Sequence, residues 1–314
     1  MSDIEDIDRI LHPDRILASI CMITYRHESF IAEAIEGVLA QQLNGAFELV
    51  ISDDKSPDGT PSICRQYQQR YPEQIRLLLP QRNLGMARNL ELALDKCRGR
   101  YVAFCEGDDI WSDPFKLAKQ VAVLESDATC SGSYHETRLI SENGERTGHL
   151  FRTQLPDQLS VQDVMSELAP FHTSSFVIRA SPLLHALPSW TMKVASLDMA
   201  LFALVAGTGT LRKVDGVMSS YRKHPGGITR SQTHTGATFH YQRILLWLFL
   251  DRHFNHAHAD RCRELFLFHW RFIIKQSTPR ARLKFLASLC RNVPTWFSHN
   301  PFFIAKRMFE AVQP

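Results

Sequence analysis

The sequence predicts an α/β fold with a mostly parallel sheet, followed by a helical C-terminal region. Strand-like and helix-like segments alternate through the first half of the 314 residues, which is the pattern of repeated βαβ units. Polar clusters follow the ends of several strands, and from about residue 238 the composition becomes helical, basic and aromatic. We therefore expect an N-terminal extension over 1–15, an α/β domain over 16–235 and a helical region over 236–314.

Apolar runs of strand length predict the first strands of the sheet. They cover residues 16–23, 46–52, 75–79 and 101–105. Continuous apolar runs of this length are typical of strands that are buried on both faces. Residues 174–179 predict another strand, and residues 210–224 predict a strand or a hairpin.

Between these runs, apolar residues recur at the 3.6-residue spacing of a helix. The first such helix places one apolar face at Phe30, Ile31, Ala34, Ile35, Val38 and Leu39. Pro61 marks the start of the next helix, and Gly99 marks the end of the third. Residues 112–126 and 196–209 predict two further helices.

Composition and charge describe an ordinary globular protein. The chain is 44% hydrophobic, and 36 Lys and Arg against 33 Asp and Glu give a net charge of +3. This balance argues against nucleic acid as a partner. The seven cysteines form no C-x-x-C pair. They predict buried thiols in a reducing compartment, not a disulfide or zinc framework.

The apolar runs predict a cytoplasmic protein. Residues 1–15 lack an apolar signal region, and the dense run 244–250 is far shorter than the ~20 residues that span a bilayer. Residues 240–314 contain amphipathic, basic and aromatic segments. They predict either a helical layer, which is favoured, or a peripheral membrane contact at the inner face of the membrane. The membrane alternative places three tryptophans at the interface, Trp247, Trp270 and Trp296.

The stretch FCEGDDIWSDP, residues 104–114, places three acids directly after a predicted strand: Glu106, Asp108 and Asp109. Like charges this close repel each other, and carboxylates at a strand end give up hydration. Such a cluster persists when a metal ion or a basic side chain offsets the cost. The alternative is a solvated turn whose acids begin the next helix.

Two further polar clusters follow predicted strands, TYRHE at 24–28 and SDDKSPDGT at 52–60. The carboxyl ends of parallel strands meet at one edge of a sheet, and ligands bind beyond that edge. The three clusters therefore predict one shared ligand site.

The segments SDDKSPDGT, NLGMARN and YVAFCEGDDIWSDPFKLAKQ, in this order on these strand ends, resemble glycosyltransferase family 2. The resemblance covers roughly residues 16–230, and the block EGDDIW…DP.KL..Q is its most specific part. It implies the A-type glycosyltransferase fold, a Rossmann-like, mostly parallel sheet that binds nucleotide diphosphate sugars. It also implies an inverting enzyme that transfers a sugar to a hydroxyl of a glycan acceptor.

The resemblance assigns Mn²⁺ or Mg²⁺ to the acid cluster, since a hard cation neutralises the diphosphate leaving group. It implies Asp108 as a direct metal ligand and Asp109 as a neighbour that binds metal or holds the loop. His224 would be a third ligand or a phosphate donor. Glu106 would contact the ribose, or the metal through water, beside Gly107. The alternatives are a helix-start acid for Asp108 and a lone surface histidine for His224.

The resemblance also implies a set of nucleotide-binding residues: Ile23, Thr24, Tyr25, Glu28, Asp54, Arg88, Glu106 and Gly107. Asp54 would accept a hydrogen bond from the N3–H of uracil or thymine, which favours UDP- or dTDP-sugars. Glu28 is equally explained as a helix-start acid, and Arg88 as a partner of a site acid instead of the diphosphate.

Asp198 lies at the position of the family's catalytic base, which takes the acceptor hydroxyl's proton during attack on the sugar. The alternative role is a helix-capping acid. A nucleotidyltransferase would need a glycine-rich first loop, and the absence of glycine from residues 20–30 counts against that class. A dinucleotide-dependent oxidoreductase would need G-x-G-x-x-G after the first strand, and this motif is absent there. A non-catalytic binding scaffold stays open. The expected partners are a nucleotide-sugar donor and a glycan or lipid-linked glycan acceptor of surface polysaccharide or lipopolysaccharide synthesis. A homo-oligomer is a further expected assembly.

Overall fold

The computed structural model describes residues 16–180, 187–227 and 236–294, together with Phe303, Lys306 and Arg307. The chain forms two compact units that interleave along the sequence. The described residues of the first unit come from Met1–Gln158, Phe171–Leu187 and Gly209–Lys223, and those of the second from Leu159–Pro170, Pro188–Thr208 and His224–Pro314. The boundary expected between residues 235 and 236 therefore falls inside the second unit, which begins earlier in the chain.

The first unit contains the sheet and the helices that cover it. Its strands are β1 (Ala18–Thr24), β2 (Phe47–Asp53), β3 (Ile75–Leu78), β4 (Tyr101–Phe104), β5 (Ile110–Trp111), β6 (Cys130–Ser141), β7 (Arg146–Leu150), β8 (Gln158–Leu159, at the unit's edge), β9 (Val177–Arg179) and β10 (Thr210–Lys223). Its helices are α1 (Ile31–Leu39), α2 (Thr60–Arg70), α3 (Met86–Asp95) and α4 (Lys116–Ser126), with a 3-10 helix over Thr173–Ser175.

The strand order of the sheet is β3-β2-β1-β4-β9-β6-β10-β5, and β7 pairs with β6. Strands β1 to β4 pair in parallel, which confirms the prediction for the first half of the chain. Strand β9 runs antiparallel to both β4 and β6, so the sheet beyond β4 is mixed. The α/β class with C-terminal helices is confirmed, and the parallel geometry places the ends of β1, β2 and β4 on one edge.

The β6–β7 hairpin was not predicted from the sequence. Strand β6 contains buried polar side chains, including Ser133, His135 and Thr137, which conceal its strand character. Residues 210–223 form one long strand, and its pairing with β6 shifts register between Lys213 and Val217. The alternative of a hairpin in this segment is therefore wrong.

The core of the first unit lies between the parallel strands and α1. Helix α1 buries Ile31, Ala34, Ile35 and Val38, as its predicted periodicity requires. All seven cysteines are free, and six of them are buried. The predicted interior thiols are confirmed.

The second unit is helical. Its elements are α5 (Val161–Val164), α6 (Leu197–Ala206), α7 (Ala237–His253), α8 (Ala259–Gln276) and α9 (Pro279–Asn292), with a 3-10 helix over Ser189–Lys193. Trp247 and Trp270 are fully buried, so the alternative that places these two tryptophans at a membrane interface is wrong. Trp296 lies outside the described residues. In the part of the chain that the structure describes, no helix is long and apolar enough to cross a membrane.

Lys116 is buried at the start of α4. Its ammonium lies 3.9 Å from the centroid of the Trp111 ring and donates a hydrogen bond of 2.7 Å to Gln120 Oε1. Gln120 in turn donates to the carbonyl oxygens of Ser133 and Ser175. Burial lowers the pKa of Lys116 to about 7, because a fully buried ammonium loses its hydration.

Replacing Lys116 by Met should remove a pH dependence of stability. In the unfolded chain this lysine keeps its proton up to a pH of about 10.4, whereas the folded protein releases it near pH 7. Between these values the unfolded state binds the extra proton, so the free energy of unfolding of the parent protein rises relative to Lys116→Met. The rise is up to about 1.4 kcal/mol per pH unit.

Urea unfolding across this pH range measures the difference in unfolding free energy between the parent protein and each variant. Lys119→Met, which removes an exposed lysine of the same helix, serves as the control and should show a nearly constant difference. A constant difference for Lys116→Met as well would contradict the assignment of a buried, deprotonating lysine.

Candidate functional site

The loops that follow β1, β2 and β4 are joined by backbone hydrogen bonds. The Asp54 amide donates to the Thr24 carbonyl at 3.0 Å, and the Gly107 amide donates to the Ile23 carbonyl at 3.0 Å. The first loop therefore lies between the other two. This geometry confirms the prediction that the three polar clusters meet at one edge of the sheet.

Side chains join the first loop to the turn after β2. The contacts are Arg26 N to Ser56 Oγ at 2.9 Å, His27 N to Thr60 Oγ1 at 2.9 Å and Gly59 N to Glu28 Oε2 at 2.9 Å. Glu28 thus holds a turn in this structure, and its predicted nucleoside contact stays a prediction. The Tyr25 side chain is 41% exposed, so its ring is accessible for stacking.

Asp54 is nearly buried and holds the loop before α3. Its two carboxylate oxygens accept hydrogen bonds from the amides of Leu84 at 2.6 Å and Gly85 at 2.9 Å. Each oxygen keeps a second lone pair, so the predicted reading of a pyrimidine base stays a prediction. Arg88 is exposed in the first turn of α3.

The acid loop, residues 106–109, connects β4 to β5. Its glycine is packed against the first loop. A Cβ atom on Gly107 would lie 2.5 Å from Thr24 Oγ1 and 3.0 Å from His27 Nδ1. Only glycine leaves room for these two side chains against the loop backbone.

Asp108 is accessible at the edge of the acid loop. Its side chain is 15% exposed, and its Oδ2 lies 3.7 Å from Nε2 of His27, whose side chain is 16% exposed. His27 was not among the predicted site residues. The sequence placed His27 in the polar cluster TYRHE that follows β1, which was the available indication of a site residue. Its proximity to Asp108 could not be read from the sequence, because the fold brings the two loops together.

Asp109 faces the interior. It is 1% exposed, and its Oδ2 lies 3.5 Å from Nδ1 of buried His172, which stacks on Tyr221 at 4.2 Å. Burial, followed by the charges of Asp108 and Glu106, raises the pKa of Asp109 well above its usual range. Burial lowers the pKa of His172 to about 4. Both directions favour neutral groups, so we treat this contact as one between neutral partners and not as an ion pair.

Potential ligand atoms of Glu106, Asp109 and His172 lie within 4.8 Å of one another. Asp109 Oδ2 also has no hydrogen-bond partner among the described residues. The predicted metal role of Asp109 stays a prediction. The observed alternative is that Asp109 holds the loop, because its Oδ1 accepts a hydrogen bond of 3.4 Å from the amide of Arg222 on β10.

Arg222, on β10, holds the acid loop through its backbone and its side chain. Its buried guanidinium donates to the carbonyl oxygen of Asp108 at 3.2 Å and to that of Glu142 at 2.7 Å. It also pairs with Glu33 Oε2 at 2.5 Å and lies 4.9 Å from the centroid of the Phe30 ring. A positive charge is therefore held against the backbone of the acid loop.

Two predicted site residues belong to the second unit. Asp198 is in the first turn of α6, directly after Leu197 and two residues after Ser196, whose φ is +62°. Burial lowers the pKa of Arg243 to about 10, and the negative charge of Asp198 acts in the opposite direction by raising it. His224 directly follows β10 and is 5% exposed, which does not fit the alternative of a surface histidine.

The donor set of the acid loop fits a hard divalent cation. Asp108 and Glu106 supply carboxylate oxygens that are partly exposed, and His27 supplies an imidazole nitrogen beside Asp108. Oxygen-rich sites with one or two carboxylates suit Mg²⁺ and Mn²⁺ that also bind phosphate oxygens.

Comparison with known proteins gives a family and several relatives. The family model described as Glycosyl transferase family 2 matches residues 19–183. An uncharacterized protein of Mycobacterium tuberculosis is 35% identical over 213 residues, which are 68% of this chain and 60% of the relative. This chain thus matches about three-fifths of the length of such relatives.

Two proteins of Bacillus subtilis carry more informative names. The putative glycosyltransferase EpsE is 32% identical over 52% of this chain and 56% of its own length. The putative teichuronic acid biosynthesis glycosyltransferase TuaG is 30% identical over 48% of this chain and 57% of its own length.

Solved structures share the fold. S. aureus TarS in complex with UDP superposes with a TM-score of 0.59 and 14% identity, over 95% of this chain and 89% of that chain. The mannosyltransferase PcManGT of Pyrobaculum calidifontis, in complex with GDP-Man and Mn²⁺, superposes with a TM-score of 0.55 and 17% identity, over 95% of this chain and 86% of that chain. At these identities the likeness establishes the fold.

Replacing Arg222 by Met should loosen the acid loop and destabilise the protein. The variant loses the hydrogen bonds that a buried guanidinium donates to the carbonyl oxygens of Asp108 and Glu142 and to the Glu33 carboxylate, which costs about 1–3 kcal/mol of unfolding free energy. Glu33→Gln keeps an oxygen acceptor at a half-exposed position and should cost less than about 1 kcal/mol. Denaturant unfolding of both variants measures these values, and equal losses would contradict the structural role of Arg222.

Proposed function

Because the chain belongs to glycosyltransferase family 2, we propose that it transfers a sugar from a nucleotide diphosphate sugar to a hydroxyl of a glycan acceptor, with inversion at the sugar carbon. The observation that carries the proposal is the joined edge of the sheet. Three polar loops are hydrogen bonded there, and Asp108 is the accessible acid of the loop that follows β4. Ligands of open α/β sheets bind beyond this edge.

The proposed donor site uses all three loops. The backbone after Ile23, with Thr24 and Tyr25, lies against the nucleoside. Asp54 reads the base, and Arg88 extends toward the diphosphate. UDP- and dTDP-sugars are the favoured donors, since a carboxylate accepts a hydrogen bond from N3–H of uracil or thymine. The fold neighbours' bound UDP and GDP-Man support a nucleotide sugar as the ligand class.

The proposed cation is Mn²⁺ or Mg²⁺. Asp108 binds it directly, with Glu106 beside it and His224 as a further ligand. When bound, the cation neutralises the charge of the departing diphosphate. The acid loop is already held in place by Arg222 and by the contact of Gly107 with the first loop, so Asp108 needs little reorganisation to bind.

Asp198 is the proposed general base. As the acceptor oxygen attacks C1 of the sugar from the face opposite the diphosphate, the hydroxyl proton passes to the Asp198 carboxylate. The new C–O bond forms as the bond to the diphosphate oxygen breaks. The position of Asp198 in the first turn of α6 favours its charged form, because a helix N-terminus stabilises negative charge.

The proposed acceptor is a glycan of surface-polysaccharide assembly. The name of the relative TuaG, which refers to teichuronic acid biosynthesis, supports this acceptor class. A lipid-linked glycan would bring the protein to a membrane surface. A peripheral contact is supported by the exposed basic residues of α8 and α9: Arg271, Lys275, Arg280, Lys284 and Arg291. The sequence has no acidic residue between Glu264 and Glu310.

Calorimetric titration of UDP, dTDP, GDP and ADP, each with and without Mn²⁺, tests the donor site. We expect metal-dependent binding of UDP or dTDP. Asp108→Asn should lose the metal-dependent part, because an amide is a much weaker ligand for a divalent cation than a carboxylate. Asp198→Asn is the matched control: it should bind the nucleotide like the parent protein but lower kcat by ~10²-fold or more.

Each outcome has a distinct meaning. Binding without turnover in the parent protein, with every acceptor of the proposed class, would favour a non-catalytic scaffold. Selective binding of GDP would contradict the preference for a pyrimidine nucleotide. Selective binding of ADP would contradict the assigned role of Asp54, because adenine has no ring N–H to donate to a carboxylate. No binding of any nucleotide diphosphate would contradict the proposed function.

Cosedimentation with vesicles that contain phosphatidylglycerol tests the membrane contact. Each basic residue near an anionic surface contributes about 1 kcal/mol, so Arg271→Gln with Lys284→Gln should weaken binding ~30-fold. A control that neutralises Arg65 and Arg70, two exposed residues of α2, should bind like the parent protein. Equal binding by all three proteins, or none by the parent, would contradict the contact.

A further inference from the structure

We propose that His27 is a protein ligand of the divalent cation, through Nε2, together with Asp108. This inference rests on the proposed function, which supplies the cation. His27 Nε2 lies 3.7 Å from Asp108 Oδ2. Two ligands about 2.1 Å from one octahedral ion are about 3.0 Å apart when adjacent and about 4.2 Å apart when opposite. The observed separation lies between these values, so a small adjustment brings both atoms onto one ion.

The separation of His27 Nε2 and Asp108 Oδ2 is longer than a direct hydrogen bond. An N–H···O bond joins atoms about 2.7–3.2 Å apart, whereas these two atoms are 3.7 Å apart. Both side chains are partly exposed, so an ion from solvent can reach them. The contrast with Asp109 and His172 is clear, since those two groups are nearly inaccessible.

The imidazole of His27 is oriented by its other nitrogen. Nδ1 lies 3.2 Å from Thr24 Oγ1, and the His27 amide donates to Thr60 Oγ1 at 2.9 Å. Histidine ligands of metals almost always hydrogen bond through the second ring nitrogen, which fixes the ring and the tautomer. In this site Nδ1 makes that contact, and Nε2 faces Asp108.

The close packing of Gly107 gives an independent reason. A Cβ atom at this position would lie 3.0 Å from His27 Nδ1 and 2.5 Å from Thr24 Oγ1. Gly107 of the acid loop therefore packs against both atoms of the contact that orients the imidazole, Thr24 Oγ1 and His27 Nδ1. The side chains of Thr24 and His27 thus pack directly against Gly107, one residue before Asp108.

A nitrogen ligand has a consequence for the choice of metal. Imidazole suits transition-metal ions better than Mg²⁺, which prefers oxygen. With His27 bound, the site should prefer Mn²⁺ over Mg²⁺. Without His27, carboxylate and phosphate oxygens dominate the donor set, and that preference should shrink.

Titration of Mn²⁺ in the presence of UDP, followed by the electron paramagnetic resonance of the free ion, tests the affinity. His27→Ala should weaken Mn²⁺ binding ~10-fold or more and weaken Mg²⁺ binding less. His27→Gln preserves side-chain size and guards against a folding defect. His149→Ala, which removes an exposed histidine of β7, is the control and should bind Mn²⁺ like the parent protein.

Pulsed electron paramagnetic resonance of the bound Mn²⁺ identifies the ligand atom. His224→Ala should retain a directly coordinated nitrogen, and the double variant with His27→Ala should have none. Loss of the nitrogen signal in His224→Ala alone would overturn the inference. Unchanged Mn²⁺ affinity in both His27 variants would also overturn it, while the metal-dependent UDP binding of the parent protein would leave the proposed function standing. A parent protein that binds no Mn²⁺ with UDP would overturn both.

Discussion

Electrostatic repulsion among three carboxyl groups in one short loop is the constraint on which the site depends. The fold separates the three groups by environment. Asp109 is buried, and its raised pKa favours the neutral form. The guanidinium of Arg222 binds the backbone of the loop, and Asp108 is left accessible beside His27. A loop organised in this way is prepared for a positive ion, since the remaining carboxylate charge lies at the accessible edge.

The parallel half of the sheet explains why distant segments of the chain meet at this loop. Strands β1, β2 and β4 end on the same edge, and backbone hydrogen bonds then join the loops that follow them. Thr24 has a central place, because its carbonyl binds the Asp54 amide and its hydroxyl contacts His27. The three loops therefore form one hydrogen-bonded surface, and the proposed nucleotide site uses that surface.

The sequence was sufficient for the parts of the fold that depend on local pattern. Continuous apolar runs predicted β1 to β4, and the turn clusters predicted the site edge. Strand β6 was missed because its buried polar side chains, such as that of Ser133, find partners through tertiary contacts, here the Gln120 amide. His27 and His172 were missed because their partners are about 80 and 60 residues away in sequence, at Asp108 and Asp109. The two alternatives for the tryptophans of α7 and α8, a packed helical layer or a membrane surface, stayed open because an amphipathic pattern does not show which face is covered.

The most direct test of the account is the position of the cation. Crystals grown with Mn²⁺ and UDP, measured at the manganese absorption edge, should give an anomalous peak within coordination distance, about 2.2 Å, of a carboxylate oxygen of Asp108, with the diphosphate on its other side. A peak at Glu106, Asp109 and His172 without Asp108, or UDP bound at this edge with no peak, would contradict the account.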